Sequence, residues 1–189
     1  MGGLVAWELL AKDINTHLAD SQSIDNTIVL NTIIAKTGFE HPKMKKGMVA
    51  RAMADAYSNE LSSFAIIDKT FKNMGLTAST KLSENECMGY VTPMKEGANN
   101  ALYEFFTQFD DDFFARLDRQ ISGMENFKGN TLVLWGAKDT VLTVDQLPVL
   151  KQAMQLSDDS IHIFPNNAHF LAEEIPLTLN QYIINFLRL

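Results

Sequence analysis

The sequence holds one cysteine, Cys87, which excludes an internal disulfide framework and any cysteine-rich zinc site. That cysteine stands in "SENECMGY", with no nucleophile signature around it, and reads as a packed thiol. Positive charge is also scarce: 16 Lys and Arg against 23 Asp and Glu leave a formal charge of −7. Phosphate binding needs clustered Lys and Arg, so neither nucleic acid nor an anionic membrane is expected as a partner. The one basic cluster, "HPKMKKG", is short and reads as a solvated turn. No apolar run approaches the roughly 18 residues that a membrane span needs. No positively charged start marks a signal peptide, and the expectation is a soluble cytoplasmic protein without a cofactor.

Against these gaps, 46% of residues are hydrophobic and twelve are Phe, the composition of a packed chain. Three short stretches have the continuous, β-branched apolar character of buried parallel strands: "NTIVLNT", "TLVLWG" and "SIHIFPN". The second and third flank "LTVDQLPVLKQAMQLS", in which Thr143 and Gln146 form a capping-box pattern and Leu147, Leu150 and Met154 recur at helical spacing. Strand, helix, strand is a βαβ unit, so these two strands are expected to be parallel neighbours. A closing helix follows in "AEEIPLTLNQYIINFLRL", with Leu177, Tyr182 and Phe186 among its apolar positions.

Between the first and second strands lies a helix-rich insert, residues 33–128, far longer than the dozen residues of a simple crossover. Ser83 and Glu86 make a second capping box there, Pro93 is expected to break the helix behind them, and Asp110, Asp111 and Asp112 favour a helix start. The fold class is therefore α/β, with parallel strands, flanking helices and an inserted helical subdomain. Its small sheet leaves the first strand with a bare edge, which invites self-association.

Two segments carry residues suited to chemistry. In "LVLWGAKDTVL" a strand runs into Gly136 and then Asp139; in "HIFPNNAHFLAEE" the next strand runs into a turn and then His169. Both lie just beyond the carboxyl ends of adjacent parallel strands, where open α/β sheets place their sites. A carboxylate that accepts one ring N–H fixes the histidine tautomer and leaves the other nitrogen as a general base. Asp139 serves equally well as a turn residue, and His169 as a histidine packed between Phe164 and Phe170. His17, His41 and His162 read as structural.

Strand–"WGAKD"–helix–strand–"NNAHFLAEE"–helix resembles the C-terminal end of an α/β-hydrolase, closest to the cap-bearing branch of haloalkane dehalogenases and epoxide hydrolases. The resemblance implies a partial α/β-hydrolase core over 1–32 and 129–189, a helical cap over 33–128, Asp139 as the acid and His169 as the base. It implies hydrolysis of an ester, haloalkane or epoxide of small apolar character through a covalent intermediate. Tyr57, Tyr90 and Tyr103 are the cap tyrosines available to a substrate, with core packing as their other reading. "MGGLVAWELL" resembles the second half of the nucleophile elbow and the helix behind it, where Gly2 and Gly3 permit close backbone approach. On that alignment the chain begins one residue after the nucleophile and is expected to be inactive alone. It would then be either the later segment of a hydrolase, completed by the missing N-terminal segment, or a short non-catalytic product that self-associates and binds small apolar ligands.

Overall fold

The computed structural model describes residues 2–16, 24–39, 47–77 and 80–188. His17, His41 and the basic run 41–46 lie outside them. The elements, in chain order, are α1 (Gly2–Thr16), β1 (Asn26–Leu30), α2 (Met48–Ala56), α3 (Glu60–Thr70), α4 (Glu84–Pro93), α5 (Asn99–Thr107), α6 (Asp111–Ser122), β2 (Asn130–Gly136), α7 (Leu147–Ala153), β3 (Ile161–Phe164), α8 (Leu171–Glu174) and α9 (Pro176–Leu187).

The three strands form one parallel sheet in the order β1-β2-β3, with Leu30 paired to Leu134 and Gly136 to Phe164. Central β2 is buried from Thr131 to Gly136, which its unbroken apolar sequence demands. Its side chains alternate between two cores. Val133 and Trp135, with Val29 of β1, face Trp7 and Leu10 of α1, Leu117 and Ile121 of α6, and Leu150 of α7. Leu132 and Leu134 face Leu171 and Leu179, closed off by Tyr182 and Phe186 of α9. β3 is less buried than its composition suggests: Ile163 is half exposed, and among the described residues this strand has a neighbour on one side only.

The described residues of the 33–128 segment are mostly helical, in keeping with its composition. Asn59 caps α3 by accepting from the amides of Leu61 and Ser62, Ser83 and Glu86 complete a reciprocal capping box on α4, and Asp110 caps α6 through Phe113 N–H at 2.7 Å. Ile67, Phe71, Cys87 and Val91 form a core within the insert, where burial raises the pKa of the Cys87 thiol. α6 instead lays Phe113, Phe114, Leu117 and Ile121 into the core of the sheet, against α1.

Several local expectations are corrected. Pro93 does not break the chain of helices; α4 ends on it but passes into a wide turn over 94–98, and the kink falls at Gly97, whose φ of 110° suits glycine. Thr143 makes no side-chain cap, bonding Asp145 Oδ2 instead, because Gln146 is drawn inward. The Gln146 amide is fully buried, accepting from Ile34 N–H and Ala35 N–H and donating to the carbonyls of Ala35 and Thr37. It thereby holds the chain leaving β1. Leu177 is 84% exposed, since α9 starts at Pro176 and its first turn projects past the core, leaving Leu179 as the buried anchor.

Close approach explains one of the two N-terminal glycines. A Cβ on Gly3 would stand 1.8 Å from Thr32 Oγ1, whereas one on Gly2 would meet nothing within 4 Å. No helix of the described residues is long and apolar enough to cross a membrane.

Candidate active site

Asp139 and His169 come from two loops that the sheet brings together at the carboxyl ends of β2 and β3. The loop after β2 turns sharply at Gly136, and the His169 loop crosses directly above it: a Cβ at 136 would be 2.0 Å from the Ala168 carbonyl oxygen. Backbone bonds then lock the loops, with Ala137 N–H donating to Phe164 O at 3.0 Å and Lys138 N–H to Asn167 O at 2.8 Å. Trp135 donates its indole N–H to Leu142 O at 3.0 Å and so closes the far side of the Asp139 turn.

The Asp139 side chain is fully buried, and four donors serve its carboxylate. Val141 N–H and Leu142 N–H reach Oδ1 at 2.8 and 2.9 Å; Asn31 Nδ2 reaches Oδ2 at 2.6 Å; His169 Nδ1 lies 2.7 Å from Oδ2. A carboxylate taken out of water needs such donors, because an uncompensated buried charge is costly. His169 retains 22% of its side-chain exposure. With Nδ1 committed to Asp139, Nε2 has no hydrogen-bond partner among the described residues. The ring meets Phe170 edge to face, with centroids 4.8 Å apart.

His169 also lines a cavity of about 180 Å³ whose other walls are Asn31, Thr32, Ile33, Phe39, Thr70, Phe105, Val141, Leu142 and Phe170. This wall is mostly apolar, with small polar groups beside the histidine. Such an arrangement can orient an apolar ligand against a histidine nitrogen held in one tautomer.

Each of the two glutamates behind His169 has a partner. Glu174 accepts from Ala168 N–H at 2.8 Å, clamping the histidine loop, and Glu173 accepts from the Tyr90 hydroxyl of α4. Phe170 stacks on Phe71, with centroids 4.2 Å apart, and Phe71 packs against Tyr90, so the insert is docked onto the histidine loop. The cavity lining includes none of Tyr57, Tyr90 and Tyr103. Tyr57 packs on the insert core, where burial raises its pKa; Tyr90 is raised by burial and then by Glu173; Tyr103 lies beneath the Arg51 guanidinium at 5.1 Å. Among the described residues, no group of three His, Cys, Asp or Glu side chains is placed to hold a metal ion.

Two contributors are not legible as such in the sequence. Asn31 ends the "NTIVLN" run, where a polar residue just after a buried strand is the available signal. Gln146 was hidden by its fit to a capping box.

No protein-family model and no curated protein matches the chain. Solved structures do. A serine hydrolase involved in carbazole degradation superposes with a TM-score of 0.57 at 15% identity, over 95% of this chain and 60% of that one. An α/β hydrolase fold protein from Burkholderia ambifaria gives 0.61 at 14% identity, over 93% and 62%. A bacterial membrane phospholipase A gives 0.58 at 14% identity, over 96% and 54%. This chain thus spans about 60% of the length of the first of these structures. What these matches establish is the architecture: a parallel α/β sheet with flanking helices, corresponding to part of the α/β-hydrolase fold.

Proposed function

We propose that Asp139 and His169 are the acid and base of a hydrolytic site, acting on a small apolar ester, haloalkane or epoxide through a covalent intermediate. The observation that carries this reading is the 2.7 Å contact between His169 Nδ1 and a fully buried carboxylate, with the ring at the wall of an apolar cavity. A nucleophile attacks the substrate as the ester or epoxide C–O bond or the C–halogen bond breaks; His169 Nε2 then takes a proton from water as that water attacks the intermediate and the bond to the nucleophile breaks, and Asp139 stabilises the imidazolium. Residues 1–32 and 129–189 form the partial core and 33–128 the helical cap, with α6 shared between cap and sheet layers. The branch nearest in motif remains that of the haloalkane dehalogenases and epoxide hydrolases.

The nucleophile is assigned to a segment other than the described residues. Its support is that Nε2 of His169 has no partner among the described residues, together with the greater length of the matched hydrolase structures. On this reading the chain by itself does not turn over substrate, since loss of a triad nucleophile costs about a million-fold. The test is to assay hydrolysis of a p-nitrophenyl ester, an epoxide and a haloalkane, read as nitrophenol, diol and halide. The assays use the chain alone and the chain with an added strand-and-elbow segment bearing Ser or Asp. Activity that needs the segment and disappears in His169→Ala supports the proposal. Turnover that survives His169→Ala overturns it.

A second reading rests on the outer side of β1, which among the described residues pairs with β2 alone. Self-association through that edge gives a non-catalytic dimer that binds small apolar ligands. Sedimentation across a concentration series, with no activity under any of the conditions above, would favour it.

A further inference from the structure

We propose that Asn31 is a positioning residue for the Asp139–His169 pair, setting both the place of the carboxylate and the basicity of the imidazole. This rests on the reading of that pair as acid and base.

Asn31 follows β1 directly and has a φ of 26°, in the left-handed range that Asn tolerates better than most side chains. It is buried, and both ends of its amide are in use. The oxygen accepts Gly136 N–H at 3.0 Å, which decides the orientation of the amide; its NH2 group therefore faces Asp139 and donates to Oδ2 at 2.6 Å. That oxygen is the one His169 Nδ1 meets at 2.7 Å. The carboxylate is thus held by two backbone amides at Oδ1 and by one neutral amide and one imidazole at Oδ2.

Sharing Oδ2 has two consequences. It leaves one acceptor direction at that oxygen, which His169 Nδ1–H fills, so the carboxylate is held where it fixes the Nδ1–H tautomer. It also satisfies part of the negative charge in either protonation state of His169, which makes the imidazolium a stronger acid than it would be on an unshared carboxylate. Asp139 is the charged group in contact with His169 among the described residues. The cavity hydroxyls of Thr32 and Thr70 are neutral, and Glu173 and Glu174 are engaged by Tyr90 and by Ala168 N–H.

The test is an NMR titration of 15N-histidine-labelled chain, with His169 assigned through His169→Gln. Wild type is compared with Asn31→Gly and Asn31→Asp, both compatible with a left-handed backbone. The glycine variant removes the donor and the side chain. The aspartate variant is isosteric, keeps an acceptor for Gly136 N–H, removes the amide donor and sets a second carboxyl group beside Asp139. The expected result is a His169 midpoint higher by about half a pH unit in Asn31→Gly and by about one or more in Asn31→Asp, with a smaller Nδ1–H tautomer fraction in the former. An unchanged or lowered midpoint in Asn31→Gly would overturn the proposal and leave Asn31 as a tie between the ends of β1 and β2. If that variant does not fold, Asn31→Ser, which shortens the side chain away from Oδ2, takes its place, and an unchanged or lowered midpoint there does the same. No substrate or nucleophile enters this measurement, so its failure is distinct from a failure of the hydrolytic reading.

Discussion

Gly136 and Ala168 meet backbone to backbone: the Ala168 carbonyl oxygen occupies the place where a side chain at 136 would begin, 2.0 Å from an ideal Cβ. This contact lets the His169 loop lie low enough to reach Asp139. Gly136→Ala is expected to cost about 2–4 kcal/mol of stability, because the atom in the way belongs to backbone and cannot rotate aside. Urea unfolding measures the loss, and the 15N spectrum of His169 is expected to show the ring freed from Asp139. A stable Gly136→Ala chain with an unchanged histidine signal would show that the loop has slack.

Gly3 and Thr32 make a similar demand at the carboxyl end of β1. All three side-chain heavy atoms of Thr32 lie within 2.8 Å of a Cβ placed on Gly3. Gly3→Ala is expected to destabilise by about 2 kcal/mol, and adding Thr32→Gly is expected to recover at least about 1 kcal/mol of that. Gly2→Ala, which meets open space, is expected to be neutral or slightly stabilising in a helix. Thermal melts of these three variants beside wild type distinguish these outcomes.

The Tyr90 hydroxyl bonds Glu173, so helix α4 of the insert is tied to the turn behind His169. Tyr90→Phe is expected to cost about 1 kcal/mol near neutral pH. The Tyr90 pKa is raised in the folded state, first by burial and then by Glu173. A raised pKa means that the protonated form is the one the fold favours. Its contribution is complete below the unfolded value of about 10 and is lost as pH climbs beyond it. Wild type should therefore lose stability above about pH 10 more steeply than Tyr90→Phe, and parallel alkaline curves would refute the tie.

Thr27 and Thr131 sit side by side in the β1–β2 register, both buried, and neither Oγ1 finds a hydrogen-bond partner among the described residues. A buried hydroxyl without a partner opposes folding. Thr27→Val or Thr131→Val is expected to stabilise by about 1 kcal/mol, read as a higher urea midpoint. A loss of stability in both would mean that these hydroxyls are satisfied.

Much of the site was legible because its parts are local. Gly136 and Asp139 follow a strand that reads clearly in the sequence, as does His169, and strand ends in a parallel sheet point the same way. The errors came where a residue had two uses. Thr143 and Gln146 match a capping pattern over three positions, yet the amide of Gln146 satisfies four backbone groups of residues 34–37 about 110 positions away. Leu177 fits an apolar helical face but lies on the turn of α9 that clears the core.

The sequence by itself determined that the chain folds as α/β, with β2 buried on both faces and a helical insert between β1 and β2. Unbroken apolar runs, helical spacing and caps are properties of neighbouring residues, and they carry that information without knowledge of the rest. The tertiary structure alone decided that Asn31 meets Asp139 across 108 positions, that Phe71 and Tyr90 bind the insert to the histidine loop, and that α6 belongs to the core of the sheet. Those contacts depend on how loops cross at the strand ends. Close approach at Gly136 and the shared oxygen of Asp139 arise only once three strands lie in register.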